Sequence, residues 1–387
     1  MVHMIPTPAS PPGPLDPPAD ESGWLEVVAE LAPEFRARAP ELEETATLPV
    51  DNLRQLHASG LDAAFLPVDL GGDGLSMRTF GRVVGALADA CPSTACIWVM
   101  HIGAAIGLVE MAPQPARDGF AAGLRDGRRF ANALSEPTSG NLFLTPLQAA
   151  EPTDGGWRLD GAKRFVSGSE IADHLLVNAL VDGVPTFFGI DPDDSIDQVP
   201  IWDAMGLRAT RSQLLVFDGT LLPAERRCEP PQQASANPIP VGLPWLSLGL
   251  AEAALRDLRE HARGRVMPTT GQPLAHMQWV QFAVADAWVR LRGARLLADQ
   301  ACWYADHVPE AFGPASFEAK LAANEVARQV ADVALRAGGG SGYLKTSPIE
   351  RHFRNAQAGA LMAYSAEVCR DVIGKAVLGV EEQTPGS

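Results

Sequence analysis

The sequence predicts an α+β protein in which a β domain is inserted between two helical ones. Three observations predict it. Helix-period apolar patterns fill the first third of the chain. Short β-favouring runs broken by Asp-Gly, Gly-Gly and Pro fill the middle, and helical periodicity resumes from about residue 241. The chain has 387 residues, more than one hydrophobic core usually covers, so two or three packed units are expected.

The first 21 residues, within "MVHMIPTPASPPGPLDPPADESGW", are rich in proline. They lack a basic segment followed by an apolar core, so they read as a loose, disordered tail rather than a secretory signal. Residues 22–128 read as the first helical domain. Ser22 is a plausible cap for "SGWLEVVAELAPEFRARAPELEET", and Leu53, Leu56 and Leu61 are spaced for one buried face. "PVDLGGDGLS" breaks the chain before "CIWVMHIGAAIGLVEM", which is apolar nearly all round and suits a central helix.

Residues 129–237 read as the β domain. "GGWRLDGAKRFVSG", "DHLLVNALVDGVPTFFGI" and "SQLLVFDGTLLP" suggest hairpins in a small antiparallel barrel or sandwich. Residues 238–387 read as a helical bundle, with stripes formed by Val280, Val284, Ala287 and Leu291 and by Ala323, Val326, Val330 and Val333. The glycine run "AGGGSGY" interrupts these helices.

Composition narrows the function classes. A net charge of -16 argues against a nucleic-acid partner, which needs a basic face. The five cysteines are scattered and odd in number, with no CxxC pair, which fits a reducing cytoplasm and offers no metal framework. No uninterrupted run of 18 apolar residues appears, so no membrane span is expected.

The stretch "GAKRFVSGSEIAD" sets Phe165 two residues before Ser167. In a strand these side chains share a face. A flat aromatic beside a hydroxyl suits a flat heteroaromatic ligand, although this stretch alone is better read as an ordinary strand end with a buried Phe and a turn-forming Ser-Gly.

Several segments together carry a resemblance. "ANALSEPTSGN", "GWRLDGAKRFVSGSEIADHLLV", "WDAMGLRATRSQLLVFDGTLLP" and "GGGSGYLKTSPIERHFRNA" occur in the order seen in acyl-CoA dehydrogenases. The resemblance covers nearly the whole chain after about residue 22. It implies a helical domain, a middle β domain and a C-terminal four-helix bundle, assembled as a homodimer or homotetramer, with FAD between the β domain and the bundle. FMN is the alternative cofactor.

By that resemblance Phe165 packs beside the flavin ring and the Ser167 hydroxyl reaches flavin N5, the atom that receives the hydride. Leu134 and Ser135 match the pair that holds the pyrimidine edge, and Asn141 falls where relatives usually have Ser. Gly339 and Gly340 match a turn at which a neighbouring subunit binds the adenine half. Ser365 and Glu367 match positions that touch the flavin.

The departures from the family pattern are as informative. The usual α-proton base lies nine residues beyond the Arg of "RDA"; here the motif is "RNA" from Arg354 and the ninth residue is Ala363. The alternative position of the base is Ile239. Neither side chain can accept a proton. Met267 and Thr270 replace the Arg-x-x-Phe grip on a flavin pyrophosphate. Some relatives that lost the glutamate act as two-component monooxygenases through a flavin C4a-hydroperoxide, for which His101 is a candidate stabiliser. Glu367, one turn beyond Ala363, is a candidate displaced base.

The expected function is therefore oxidation of a CH–CH group of an acyl thioester, with an electron-transfer flavoprotein as the implied partner. The alternatives are a monooxygenase served by a flavin reductase, and a non-catalytic partner protein.

Overall fold

A computed structural model describes residues 15–138, 140, 143–230 and 236–380. Its first domain comprises α1 (Ser22–Thr45), α2 (Val50–Ala58), α3 (Leu61–Ala64), α4 (Met77–Ala90), α5 (Pro92–Met111) and α6 (Ala116–Arg125). Leu53, Leu56 and Leu61 are buried together as their spacing predicts. Around α5, Trp98 stacks on Phe80 at 5.3 Å, and Phe65 meets Phe80 edge-on at 5.0 Å. A helix with no polar face must be enclosed on all sides, and α5 is.

The N-terminal boundary differs from expectation. Ser22 begins α1 but does not cap it, since Glu21 holds the cap position and makes no side-chain cap bond there. The Glu21 carboxylate instead accepts from the Ser76 hydroxyl at 2.7 Å, at the head of α4. Residues 15–21, expected to belong to a loose tail, are docked: the Asp16 carbonyl accepts from Arg78 at 3.1 Å.

The middle domain contains β1 (Phe130–Ala133), β2 (Ala150–Thr153), β3 (Gly156–Val166), β4 (His174–Val181), β5 (Val184–Ile190), β6 (Ile196–Val199) and β7 (Gln213–Pro223). They form two sheets, β1-β4-β5 and β2-β3-β7-β6. Leu159, Val166, Val177, Phe188, Leu215 and Phe217 fill the core they share. This is the sandwich alternative; no closed barrel forms among the described residues. The expectation of purely antiparallel pairing is corrected, because β1 runs parallel to β4. A parallel neighbour requires a long connection, and here the excursion through β2 and β3 supplies it.

The last domain comprises α7 (Pro238–Gly264), α8 (Gln278–His307), α9 (Pro309–Gly342), α10 (Pro348–Ala356), α11 (Ala358–Leu361) and α12 (Ala366–Leu378). Asn237 caps α7 by accepting from Ile239 N–H at 2.9 Å. A side chain at Gly103 would sit 2.2 Å from Ile239, so glycine there lets α7 lie directly on α5. Both helices are long and apolar enough to cross a bilayer, yet 83% of each apolar window is buried inside the protein. Within the span of α9 the helix breaks at Gly339 (φ 54°, ψ -146°), so the glycine segment interrupts it as expected.

The β domain and the bundle meet along the loop before β7. Asn355 of α10 accepts from Leu207 N–H at 2.8 Å, and the Phe143 and Tyr364 rings lie 4.9 Å apart.

Candidate active site

The end of β3 organises the site. Lys163 points inward, wholly buried, with its ammonium 2.9 Å from Glu136 and 2.9 Å from Asn178. Burial holds the lysine below its usual range, and the Glu136 carboxylate opposes that shift. Glu136 also accepts from Leu147 N–H at 2.9 Å and Gln148 N–H at 3.2 Å. The segment after β1 is thus clamped to β3, and Arg164 N–H donates to the Ser135 carbonyl at 2.7 Å. Leu134 and Ser135 are thereby brought beside Phe165 and Ser167.

The simple alternation expected for Phe165 and Ser167 does not hold. Pairing of β3 with β7 slips between Lys163 and Val166, and Phe165 sits in this bulge at φ 61°. That is a costly conformation for an aromatic residue, of a kind that clusters at functional sites. The Phe165 ring is half exposed at 50%, with the Arg164 guanidinium 4.7 Å above it and Trp202 edge-on at 6.1 Å.

Ser167 follows the last strand residue and is 8% exposed. Its Oγ lies 2.8 Å from Ser212 Oγ, which lies 2.9 Å from Thr210 Oγ1. Thr210 Oγ1 in turn donates to the Leu207 carbonyl at 2.8 Å. Thr210 and Ser212 were not singled out by the sequence reading; the hydroxyl-bearing "ATRS" was the available signal, and only the β3–β7 pairing sets it beside Ser167.

The other expected residues fare differently. His101 is buried on α5. Its Nδ1 accepts from Phe130 N–H at 3.0 Å, which leaves the ring proton on Nε2, 3.6 Å from Asp62. Burial lowers the imidazole below its usual range against the pull of Asp62. Burial raises Asp62 too, but the nearby His101 and His57 imidazoles and the charge of Arg129, which donates to it at 3.0 Å, outweigh it and keep it ionised.

Glu367 lies in the first turn of α12 with its side chain 78% exposed within one chain and 3.4 Å from Arg370. The Ser365 hydroxyl caps α12 by accepting from Val368 N–H at 3.3 Å. Gly339 and Gly340 lie where an added side chain would meet open space within one chain. Asn141 lies outside the described residues. His352 packs in the bundle, 2.6 Å from Asp257.

A flat heteroaromatic group fits the chemistry present: an exposed aromatic face held at a strained bulge, a hydroxyl two residues further along the chain, and the backbone of Ser135 tied to Arg164. The buried Ser169 Oγ and Asn132 Oδ1 have no protein partner, which leaves polar capacity in the same region.

Helical domains enclosing this two-sheet domain define a chain of the acyl-CoA dehydrogenase fold. The family model for the acyl-CoA dehydrogenase N-terminal domain matches residues 20–123, and that for the C-terminal domain matches residues 241–378. The chain belongs to the acyl-CoA dehydrogenase superfamily. It is 26% identical over 349 residues to the short-chain specific mitochondrial acyl-CoA dehydrogenase of Bos taurus, covering 87% of this chain and 84% of the relative. The structure of butyryl-CoA dehydrogenase from Megasphaera elsdenii superimposes with a TM-score of 0.86 at 24% identity, covering 93% of this chain and 98% of that one. FMN-bound TdsC from Paenibacillus sp. A11-2 superimposes with a TM-score of 0.82 at 22% identity, covering 94% and 98%.

Proposed function

We propose that this protein is a flavin-dependent oxidoreductase that oxidises a CH–CH group of an acyl thioester. The observation that carries the reading is the junction of Ser135 with Arg164, which sets the residue 134–135 backbone beside Phe165 and Ser167. A bound flavin, with FAD favoured over FMN, supplies a two-electron acceptor. Phe165 offers a face to stack on, the backbone at 134–135 offers polar groups to an edge, and Ser167 places a hydroxyl at a fixed point. The apolar residues Trp279, Phe282, Val289 and Leu296 recur on an exposed side of α8 and support a homo-oligomer. In that assembly Gly339 and Gly340 would lie open to a second copy.

A second reading, a two-component monooxygenase, is favoured by one specific fact: Ala363 and Ile239 supply no carboxylate to take an α-proton. Anaerobic addition of butyryl-CoA to flavin-loaded protein tests the first reading. Bleaching of the flavin absorbance supports it. No bleaching, with oxygen uptake only when a flavin reductase is added, would transfer the assignment to the second.

A further inference from the structure

The three hydroxyls beside β3 have a countable set of protons. Thr210 Oγ1 lies 2.8 Å from the Leu207 carbonyl, which can only accept. When Thr210 donates there, the 2.9 Å contact with Ser212 requires the Ser212 proton, and the 2.8 Å contact with Ser167 requires the Ser167 proton. All three protons then point inward, and Ser167 offers only lone pairs to the outside.

The opposite polarity is also fully satisfied. The Leu207 carbonyl receives two further donors, Trp202 Nε1–H at 3.2 Å and Thr210 N–H at 3.1 Å. It therefore keeps two partners if the Thr210 hydroxyl turns away. Thr210 then donates to Ser212, Ser212 to Ser167, and Ser167 to whatever lies outside. Thr210 and Ser212 are 1% and 3% exposed, so water does not mediate between the two states. Cys96 also lies near Ser167. Burial pushes its thiol up to about 12, leaving it a protonated and weak partner.

We propose that Thr210 and Ser212 are positioning residues whose hydroxyls reverse together with Ser167, so that Ser167 donates to an oxidised ring nitrogen and accepts from a reduced N–H. This rests on the flavin reading above. A lone serine could rotate to meet either state. Accepting from N–H, however, would strand its own buried proton, which costs more than an unused lone pair. The chain removes that cost in the reduced state and gives Ser167 a donor in the oxidised one. No covalent bond changes; only three hydroxyl protons change direction.

The test titrates the full-length protein with FAD and with FMN, each oxidised and, under anaerobic conditions, dithionite-reduced. Ser212→Ala and the nearly isosteric Thr210→Val should each lower the preference for reduced over oxidised flavin by about tenfold, the effect of one stranded buried donor. Thr210→Ser should retain the preference. In a Ser167→Ala background, Thr210→Val should have no further effect, since the chain then has no outlet. An unchanged preference in both single variants, with flavin still bound, overturns the inference alone. An equal shift in the Ser167→Ala background overturns it too, by showing that the effect bypasses Ser167. Failure of the unaltered protein to bind either flavin overturns the flavin reading and this inference together.

Discussion

Lys163 and Glu136, 27 residues apart, meet at 2.9 Å with no exposed side-chain surface, and hold together the two segments that form the candidate site. Removing one member strands a buried charge. Lys163→Met should destabilise the protein by about 3–5 kcal/mol. Replacing both, as Lys163→Met with Glu136→Leu, should recover part of that loss while disordering residues 134–135. Chemical denaturation of the single and double variants checks this, and additive losses would argue against a coupled pair.

Phe165 and Ser167 should separate binding from chemistry. Phe165→Gly relieves the left-handed backbone but costs chain entropy, so its net effect on stability should stay within about 1 kcal/mol. Flavin affinity should nevertheless fall, by about tenfold, through loss of the stacking face. Ser167→Ala should leave binding nearly intact and cut turnover by about 100-fold. Equilibrium dialysis and steady-state kinetics read the two effects, and unchanged turnover in Ser167→Ala would sink the placement of the reactive nitrogen.

Ala363→Glu tests whether the scaffold still presents an acyl α-carbon at the position nine residues beyond Arg354. A carboxylate restored there should raise the rate of anaerobic flavin bleaching by butyryl-CoA by about 100-fold or more, the usual range for a positioned general base. No gain would shift the balance to the monooxygenase reading.

The buried histidines set the acid side of the stability profile. Burial, as the larger influence, holds His101 and His352 below the usual imidazole range in the fold. The unfolded chain therefore binds more protons below about pH 6.5, and stability should fall as pH drops through that value. Asp62 and Asp257, depressed despite burial by their hydrogen-bonded and charged partners, add a further loss below about pH 4.

Glu252 acts with the opposite sign: burial first, then the nearby Asp89, push it up to about 7, so the folded state takes up its proton more readily. Glu252→Gln should thus be more stable than the parent at pH 8 and lose stability more steeply between pH 7 and 5. Thermal melts across pH 4–9 measure both, and a flatter acid limb in the variant would contradict the assignment.

What the sequence determined by itself was local and periodic. The helical stripes through Leu53, Leu56 and Leu61 and through Ala323, Val326 and Val330 are buried as their spacing requires. The helix–strand–helix order and the motifs at 134–135 and 165–167 were legible because each is a contiguous run. Tertiary structure decided the partners. Ser212 reaches Ser167 only because β7 pairs with β3, and the bulge that exposes Phe165 is a property of that pairing. His101 was drawn into the core by Asp62 and the Phe130 amide, both far from it in sequence. Glu367, on the turn after Ala363, faces solvent beside Arg370. Periodicity reports which face of an element is apolar; it carries no record of which polar group waits on the opposite element, and hydrogen-bond geometry is settled only when both backbones are in place.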